Sequence, residues 1–418
     1  MDKFFIVGGH SLSGEVEIDS AKNSLLPIMA ACILVEGEVI LKKVPKYNDV
    51  LAMCRILENL GAKIIWQDDN LIVNCSSLNL NEVPYELASP VRASIFTLGA
   101  IIARQKSAKV SYPGGCDIGL RPIDIHLNGL RSLGCKIIEK NGYIYADGAN
   151  SKAGDFMLPF PSVGATENLM MFATNLNGET RIFNPAKEPE IVDLQNFINC
   201  CGGDVNGAGS NMIVINGASK LNGCEYKVIP DRIEAGTLMI ATAMCGGKIV
   251  LKNAEYEHNQ SLAKKLLLAH TRLRYRDNEI IVSSSGRPLS FGEIETAVYP
   301  GFPTDLQAQM MSLASISKGY SLICENLFES RFKHVSELKK MGAEIRCKNG
   351  ICIVNGKKKL YGADVSTTDL RGGASLVLAG LVAEGYTTID NVNLIDRGYY
   401  QLEKKLSQLG CDIKRMNN

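Results

Sequence analysis

The segment from Pro113 to Pro122 holds the residues of this 418-residue chain that are best suited to do chemistry. It reads PGGCDIGLRP, so the thiol of Cys116 follows two glycines and stands five residues before Arg121. Three glycines and two prolines disfavour a regular helix or a central strand, which predicts a loop that can bring its backbone close to a ligand. A thiol in this setting is a candidate acid or nucleophile, and the arginine indicates an anionic substrate.

A second group of polar residues stands where apolar, helix-like segments begin. Its members are Lys22-Asn23, Arg92, Thr166, Asp231-Arg232, Asp305 and Asp369-Leu370-Arg371. A helix N-terminus offers free N–H groups and partial positive charge, so cationic side chains there predict anion sites; helix caps or surface ion pairs are the alternative. Arg331 and Arg397 lie in turn-like segments. Each is either a substrate ligand or a solvated residue at the tip of a turn.

These residues are carried by a pattern that recurs about every 70 residues. An amphipathic segment is followed by glycine and a β-branched run, which predicts a helix, a left-handed cap and a strand. The copies are Leu60–Ile64, Leu133–Ile137, Cys201–Val205, Met341–Ile345 and Leu409–Ile413, with another near Leu262–Tyr275, where His270 replaces the glycine.

Each copy also contains a second helix that is apolar nearly all round, which predicts burial. These helices are expected near 23–34, 92–103, 166–175, 232–244, 305–316 and 371–382. Six α/β units with one buried helix each predict two lobes of three units and a cleft between them, residues 21–229 forming one lobe and residues 1–20 plus 230–418 the other. A single solenoid is the alternative, and the crossover-like segment from Val228 to Arg232 favours two lobes.

The composition excludes several classes of protein. A net charge of +1 provides no global basic field for nucleic acid. The apolar runs are too short to span a bilayer and the N-terminus lacks a signal peptide, which predicts a cytoplasmic protein without membrane attachment.

The 13 cysteines are predicted to be free thiols, mostly small buried side chains, with Cys116 as the exception. No dinucleotide fingerprint, P-loop or metal-ligand spacing is present.

Several motifs together resemble the enolpyruvyl transferases, and among them the UDP-N-acetylglucosamine 1-carboxyvinyltransferases, over essentially the whole chain. They are Ala21-Lys22-Asn23, Pro113–Cys116 with Arg121-Pro122, Phe160–Thr166, Glu188–Asp193, Phe302–Asp305, Asp369–Arg371 and Asp396–Gly398. The resemblance implies an inside-out α/β barrel in each lobe, with buried helices inside and sheets outside. It also implies transfer of the enolpyruvyl group of phosphoenolpyruvate to the 3′-hydroxyl of UDP-N-acetylglucosamine, the first committed step of peptidoglycan synthesis, without a cofactor or metal.

The same resemblance implies a role for each matched residue. Cys116 is the expected general acid and Asp305 the base near the sugar hydroxyl. The expected phosphoenolpyruvate ligands are Lys22, Arg121 and Arg397, with Arg331 and Arg371 on the carboxylate side. The expected ligands of the UDP-sugar are Asn23, Arg92, Arg121, Pro122, Ile123, Asp124, Ile125 and Leu327.

Two other functions compete with this interpretation. The first is a 5-enolpyruvylshikimate-3-phosphate synthase, which shares the six-unit architecture, but the cysteine loop with Arg121-Pro122 argues against it. The second is a non-catalytic paralogue that binds UDP-sugar and regulates a partner. The joint presence of five residues argues against it: Lys22, Cys116, Asp305, Arg371 and Arg397. Some relatives carry lysine where Phe160 stands, which questions a nucleotide contact at that position.

Overall fold

The computed structural model describes residues 2–114, 119, 122–217 and 220–416. The α-helices in this part of the chain are α1 Lys22–Ala31, α2 Asn48–Asn59, α3 Tyr85–Ala88, α4 Phe96–Gln105, α5 Asp124–Ser132, α6 Val163–Ala173, α7 Pro189–Cys200, α8 Arg232–Cys245, α9 Gln260–Leu268, α10 Gln307–Ile316, α11 Val335–Lys340, α12 Leu370–Val382 and α13 Leu402–Gln408. Short 3₁₀ turns lie at Cys32–Leu34, Arg92–Ile95, Glu257–Asn259, Thr304–Leu306 and Val392–Leu394.

The strands alternate with these helices along the chain. They are β1 Lys3–Val7, β2 Leu12–Glu17, β3 Val35–Glu36, β4 Glu38–Lys42, β5 Lys63–Gln67, β6 Asn70–Asn74, β7 Glu82–Val83, β8 Ser107–Ser111, β9 Lys136–Lys140, β10 Tyr143–Asp147, β11 Asp155–Met157, β12 Glu179–Phe183, β13 Asp204–Asn206, β14 Met212–Asn216, β15 Leu221–Asn222, β16 Glu225–Lys227, β17 Gly247–Lys252, β18 Arg272–Arg276, β19 Glu279–Ser284, β20 Glu293–Glu295, β21 Tyr320–Cys324, β22 Glu344–Lys348, β23 Ile351–Asn355, β24 Asp364–Ser366, β25 Tyr386–Asp390 and β26 Asp412–Met416.

By their contacts, the described residues divide into two compact units. The first unit takes residues 20–114, 122–217 and 220–229, and the second takes 2–19, 119 and 230–416. The first unit contains the sheets β16-β4-β6-β5, β7-β8-β10-β9 and β11-β12-β14-β13, with the short pair β3-β15. The second unit contains the sheets β2-β17-β19-β18, β20-β21-β23-β22 and β24-β25-β1-β26.

Every four-stranded sheet repeats one topology, as the sequence repeat predicts. An outer strand pairs in parallel with the second strand, and the remaining two pairings are antiparallel. The strands alternate between a buried and a more exposed face: in β23, Cys352 and Val354 are buried, whereas Ile351 and Ile353 are 45% and 49% exposed. The buried faces cover apolar helices, so each unit has its helical core inside and its sheets outside.

The predicted core helices are confirmed. In α8 every residue from Ile233 to Met244 is buried, and in α12 every residue from Leu370 to Leu381 is buried. The helices α8, α10 and α12 pack against one another in the second unit, and α4 packs against α1 and α6 in the first. Burying a helix on all sides requires apolar residues around its circumference, which these segments have.

The degenerate copy of the repeat keeps the conformation of the other copies. His270 has a φ of +65°, and the corresponding glycines Gly61 and Gly342 have φ values of +101° and +93°. The His270 N–H donates to the carbonyl of Leu267 across 3.0 Å, just as the Gly61 N–H donates to that of Glu58. Histidine therefore adopts the left-handed cap that glycine adopts more readily.

The predicted helix starts are partly corrected. The Asp231 side chain accepts hydrogen bonds from the N–H groups of Ile233 and Glu234, and Asp369 caps α12 in the same manner. These two carboxylates are therefore caps that occupy helix N-termini, because their oxygens reach the free N–H groups two and three residues ahead. Thr166 lies inside α6, which begins three residues earlier after the cap residue Ser162.

The cysteine prediction also needs correction. Cys347 and Cys352 are paired residues on neighbouring strands β22 and β23, and they form a disulfide. Cys200 is an exposed free thiol rather than a buried one. Most other described cysteines are buried as predicted.

Candidate active site

A carboxylate held between two buried arginines lies in the second unit. Asp305 stands in the 3₁₀ turn that precedes α10, Arg331 in the turn before α11, and Arg371 in the first turn of α12. Nη2 of Arg331 donates to Oδ1 of Asp305 across 2.5 Å, and Nη2 of Arg371 donates to Oδ2 across 3.0 Å. The structure thus brings together three of the residues that the sequence singled out; we call them the Asp305 cluster.

The Asp305 cluster has more positive charge than Asp305 neutralises. Both arginine side chains are only 4% exposed, whereas that of Asp305 is 26% exposed. Nε of Arg331, and Nε and Nη1 of Arg371, have no hydrogen-bond partner among the described residues. Buried guanidinium donors without partners are costly, so this cluster is suited to accept oxygens from an anionic ligand.

The Arg371 guanidinium stays charged in this setting. Burial alone lowers the pKa of Arg371, but the Asp305 carboxylate, together with Tyr399 and Asp231, raises it, and the net shift is upward. The first turn of α12 is fixed because Asp369 accepts from the N–H of Arg371 across 3.0 Å.

A buried histidine lies beside the Asp305 cluster. His334 is fully buried, and neither ring nitrogen has a hydrogen-bond partner among the described residues. Burial lowers the pKa of His334 to about 4; the positive charge of Arg331 lowers it further and Asp369 opposes the shift. The imidazole is therefore neutral at pH 7, and it adds no further positive charge next to the arginines.

His334 predicts a measurable pH dependence of stability. An unfolded histidine binds a proton near pH 6.5, and folded His334 does so near pH 4, so its contribution to stability is present above 6.5 and is lost as pH falls towards 4. Over that window, wild type should lose about 3 kcal/mol more unfolding free energy than His334→Gln, as measured by urea titration at several pH values. His10→Gln, which changes an exposed histidine, should keep the wild-type pH dependence. Parallel curves for wild type and His334→Gln would contradict this assignment.

In the first unit, Lys22 and Asn23 open the core helix α1. Nζ of Lys22 lies 3.4 Å from Oδ2 of Asp49, and the two side chains are 11% and 6% exposed. The hydroxyl of the next residue, Ser24, donates to the buried carboxylate of Asp193. Lys22 is thus a nearly buried cation at a helix N-terminus, a position that favours anion binding.

The other predicted nucleotide ligands of the first unit lie near helix starts. Arg92 is half-buried in the 3₁₀ turn that leads into α4. Pro122 is exposed, Ile123 is buried and Asp124 is the first residue of α5, followed by half-buried Ile125. These residues thus lie at the starts of two helices, α4 and α5, where free N–H groups favour an anion.

Within the glycine-rich loop, the described residues are Pro113, Gly114, Gly119 and Pro122. Cys116 and Arg121 lie outside the described residues. Gly114 packs so closely on the backbone that an added Cβ would lie 1.9 Å from the carbonyl oxygen of Ser89. A larger residue cannot occupy this position without moving the backbone, so Gly114 fixes the point from which the loop departs.

Leu327 lies on a loop that a buried glutamate organises. Oε1 of Glu325 accepts from the N–H groups of Leu327 and Phe328 across 3.0 and 3.1 Å, and Oε2 accepts from Thr304 across 2.8 Å. Glu325 therefore links the Leu327 loop to the turn that carries Asp305. Sequence reasoning missed this residue, because its partners are distant along the chain or on the backbone.

The two remaining positions are more exposed. Arg397 is half-buried in the turn after Val392–Leu394, next to Asp396, whose carboxylate binds Arg415 across 2.6 and 2.9 Å. Phe160 is 46% exposed.

Comparison with known proteins assigns the family. The family model described as EPSP synthase (3-phosphoshikimate 1-carboxyvinyltransferase) matches residues 6–406. A UDP-N-acetylglucosamine 1-carboxyvinyltransferase 2 of Caldanaerobacter subterraneus subsp. tengcongensis is 47% identical over 416 residues, covering 100% of both chains. A UDP-N-acetylglucosamine 1-carboxyvinyltransferase of Thermotoga maritima is 47% identical over 418 residues, covering 99% of each. This chain belongs to the enolpyruvyl transferase family.

The fold of this enolpyruvyl transferase also matches solved structures. The enolpyruvyl transferase NikO from Streptomyces tendae aligns with a TM-score of 0.88 at 22% identity, covering 100% of this chain and 99% of that one. An EPSP synthase from Acinetobacter baumannii aligns with a TM-score of 0.74 at 18% identity, covering both chains fully. These likenesses confirm the predicted α/β fold class with its repeated units.

Sequence reasoning missed an acidic group in the first unit of the transferase. Glu167, in α6, is fully buried, and neither carboxylate oxygen has a hydrogen-bond partner among the described residues. Burial raises the pKa of Glu167 well above its usual range, and Glu190 and Glu188 raise it further. The sequence pattern does not show whether a single glutamate in an apolar helix is buried. Its burial depends on how the helix packs in the fold.

Other features of the transferase lie away from the predicted residues. A groove of about 570 Å³ is lined by α9 and the segment before Asp305, and it mixes Lys264 and Lys265 with Glu257, Glu293 and Glu295. This mixture of charges gives the groove no clear preference for an anion.

Within the described ranges, no three His, Cys, Asp or Glu side chains are placed to share a metal ion, and no helix is long and apolar enough to cross a membrane.

Proposed function

We propose that this transferase moves the enolpyruvyl group of phosphoenolpyruvate to the 3′-hydroxyl of UDP-N-acetylglucosamine and releases inorganic phosphate. The observation that carries the proposal is the full-length identity of 47% to proteins named for this reaction. The reaction supplies a precursor of peptidoglycan, and hence of cell wall growth, cell shape and division. Its substrates are soluble, so we place the enzyme in the cytoplasm, and we assign its two contact units as the two lobes.

The Asp305 cluster supports a phosphoenolpyruvate site. Phosphoenolpyruvate carries a carboxylate and a phosphate, and its binding therefore requires several cationic donors. Arg331 and Arg371 have buried donors that Asp305 does not use, and planar guanidinium groups match carboxylate oxygens. We assign these two arginines to the carboxylate side and Lys22, Arg121 and Arg397 to the remaining contacts with phosphoenolpyruvate.

The proposed chemistry balances protons at two residues. Cys116 donates a proton to the methylene carbon of phosphoenolpyruvate, while the sugar hydroxyl attacks the adjacent carbon and gives its proton to Asp305. The methyl group so formed then returns a proton to the Cys116 thiolate as the bond to phosphate breaks, which restores the double bond. The departing phosphate takes the proton held by Asp305, so both residues return to their starting states. A thiol is mostly protonated at neutral pH, and it can therefore act as an acid.

Asp305 has two tasks in this scheme. In the structure both of its oxygens accept hydrogen bonds from arginines, so the Asp305 carboxylate occupies a site that would suit an anionic ligand. An incoming carboxylate that binds the unused donors of the same two arginines shares their positive charge with Asp305. A carboxylate that is less stabilised by its arginine partners is a better proton acceptor. Arrival of phosphoenolpyruvate therefore prepares Asp305 to take the proton of the sugar hydroxyl.

We assign the UDP-sugar to seven residues besides Arg121: Asn23, Arg92, Pro122, Ile123, Asp124, Ile125 and Leu327. Arg92 provides a positive charge suited to the diphosphate. Arg121 belongs to both substrate sets, and no cofactor or metal enters the scheme.

The test is phosphate release from phosphoenolpyruvate with two acceptors supplied in parallel. UDP-N-acetylglucosamine should support turnover, and shikimate 3-phosphate should not. The reverse preference would overturn the assignment in favour of 5-enolpyruvylshikimate-3-phosphate synthesis. Binding of UDP-N-acetylglucosamine without turnover would instead favour a non-catalytic UDP-sugar-binding protein.

A further inference from the structure

Tyr399 is a fully buried tyrosine that connects two of the three charged residues of the Asp305 cluster, Arg371 and Asp305. Its side chain is 1% exposed, and the guanidinium carbon of Arg371 lies 5.2 Å from the centre of its ring. A guanidinium over a ring face is held by electrostatic attraction and by stacking. The ring of Tyr399 therefore packs against the Arg371 guanidinium, which also binds Asp305.

The hydroxyl of Tyr399 is anchored by two other core helices. It lies 2.8 Å from Oγ1 of Thr237 on α8, and it accepts from Nε2 of Gln309 on α10 across 3.1 Å. The Thr237 hydroxyl in turn donates to the carbonyl of Ile233, one turn earlier in α8. All of these groups are buried, so their hydrogen bonds cannot be replaced by water without opening the core.

The same glutamine also reaches Asp305. Nε2 of Gln309 lies 3.0 Å from the backbone oxygen of Asp305 and 3.2 Å from Oγ1 of Thr237. Tyr399 thus touches Arg371 through its ring and the Asp305 turn through Gln309. One side chain sets the relative position of the carboxylate and the guanidinium.

We propose that Tyr399 is a positioning residue for phosphoenolpyruvate. Its ring packs against the Arg371 guanidinium and restricts the orientation of that group. Its hydroxyl is held by Thr237 and Gln309, and these hydrogen bonds keep the ring in place. The result is that Nε and Nη1 of Arg371, which have no partner among the described residues, face the substrate carboxylate in a set orientation. This inference rests on the proposed function and assigns no proton transfer to Tyr399.

The test separates the ring from the hydroxyl by steady-state kinetics with each substrate varied. Tyr399→Leu removes both and should raise the KM for phosphoenolpyruvate roughly tenfold, whereas Tyr399→Phe keeps the ring and should raise it by a smaller factor. The KM for UDP-N-acetylglucosamine should stay within about twofold of wild type, because Arg371 is assigned only to phosphoenolpyruvate. Thr237→Val should act like Tyr399→Phe, and Thr237→Ser, which keeps the hydroxyl, should restore the wild-type KM.

Ser312→Ala provides the matched control. Ser312 is buried on α10, and its hydroxyl donates to the carbonyl of Ser375 on α12 across 2.7 Å, two turns beyond Asp305. This variant loosens the same pair of helices, so it should lower the melting temperature and leave both KM values unchanged. An equal rise of the phosphoenolpyruvate KM in Ser312→Ala and Tyr399→Leu would show general loosening and overturn the inference.

The remaining outcomes are distinct. A Tyr399→Leu protein that is less stable but has the wild-type KM for phosphoenolpyruvate has lost only packing, and the inference fails while the proposed function stands. If the wild-type enzyme turns over neither substrate, the proposed function fails first. Titration of wild type and Tyr399→Leu with phosphoenolpyruvate in a calorimeter then tests the inference directly, and equal affinities would overturn it.

Discussion

Replacement of Cys116 with serine should reduce turnover of phosphoenolpyruvate with UDP-N-acetylglucosamine by about 1,000-fold, because a hydroxyl is a far weaker acid than a thiol. Cys116→Asp should keep measurable activity, since a carboxylic acid can also donate a proton to the methylene carbon. The measurement is phosphate release at saturating concentrations of both substrates. A serine variant with the wild-type rate would contradict the assignment of Cys116 as the acid.

Covalent labelling distinguishes the Cys116 thiol from the other cysteines. Fosfomycin, an electrophilic analogue, should add once to the wild-type protein and should not add to either Cys116 variant, as read by peptide mass spectrometry. Cys200→Ser is the control, because Cys200 is an exposed free thiol that has no role in the proposed chemistry. Labelling at Cys200 with an unmodified Cys116 peptide would count against the assignment.

Replacement of Asp305 with alanine should nearly abolish turnover and also destabilise the second unit. It leaves two nearly buried guanidinium groups without their carboxylate, a loss of about 2 kcal/mol once the partial exposure of Asp305 is allowed for. The emptied donors should then bind inorganic phosphate more tightly than in wild type. The measurement is the rise in melting temperature with added phosphate, which should be larger for Asp305→Ala than for wild type.

Glu403→Gln is the matched control for the loss of a carboxylate beside an arginine. Glu403 is 10% exposed and binds Arg415 across 3.1 Å in the same unit, outside the proposed site. Its replacement should lower stability while turnover and the phosphate effect remain as in wild type. If phosphate stabilises Asp305→Ala no more than wild type, Asp305 does not occupy the place of an anionic ligand.

The repeated units could be predicted because their signals are local. A helix, its cap and the next strand lie within about 20 residues, and the amphipathic period and the glycine are both visible in the sequence. Even the copy with His270 followed the pattern, because a single residue can take the left-handed conformation when its neighbours favour the cap. Asp231 and Asp369 show the limit: a carboxylate at a helix start predicts a cap or a functional site equally well, and only the structure decided between them.

The support of the Asp305 cluster could not be predicted, because its partners are far apart in sequence. Tyr399 meets residues 162 and 90 positions away, and the pattern around it indicates only a buried aromatic residue. Glu325 and His334 are hidden for the same reason, since their roles depend on which backbone groups and charges the fold brings beside them. The Cys347–Cys352 disulfide was missed because its residues, five apart, become neighbours only through the register of β22 and β23.

The most direct test of the central claim is the mass of the product made from UDP-N-acetylglucosamine and phosphoenolpyruvate. The account predicts a UDP-sugar that carries one enolpyruvyl ether, formed in equal amount with inorganic phosphate by the wild-type enzyme. Asp305→Ala and Cys116→Ser should form it only in traces. Unchanged UDP-N-acetylglucosamine after incubation with the wild-type enzyme, or an enolpyruvyl ether formed only on shikimate 3-phosphate, would contradict it.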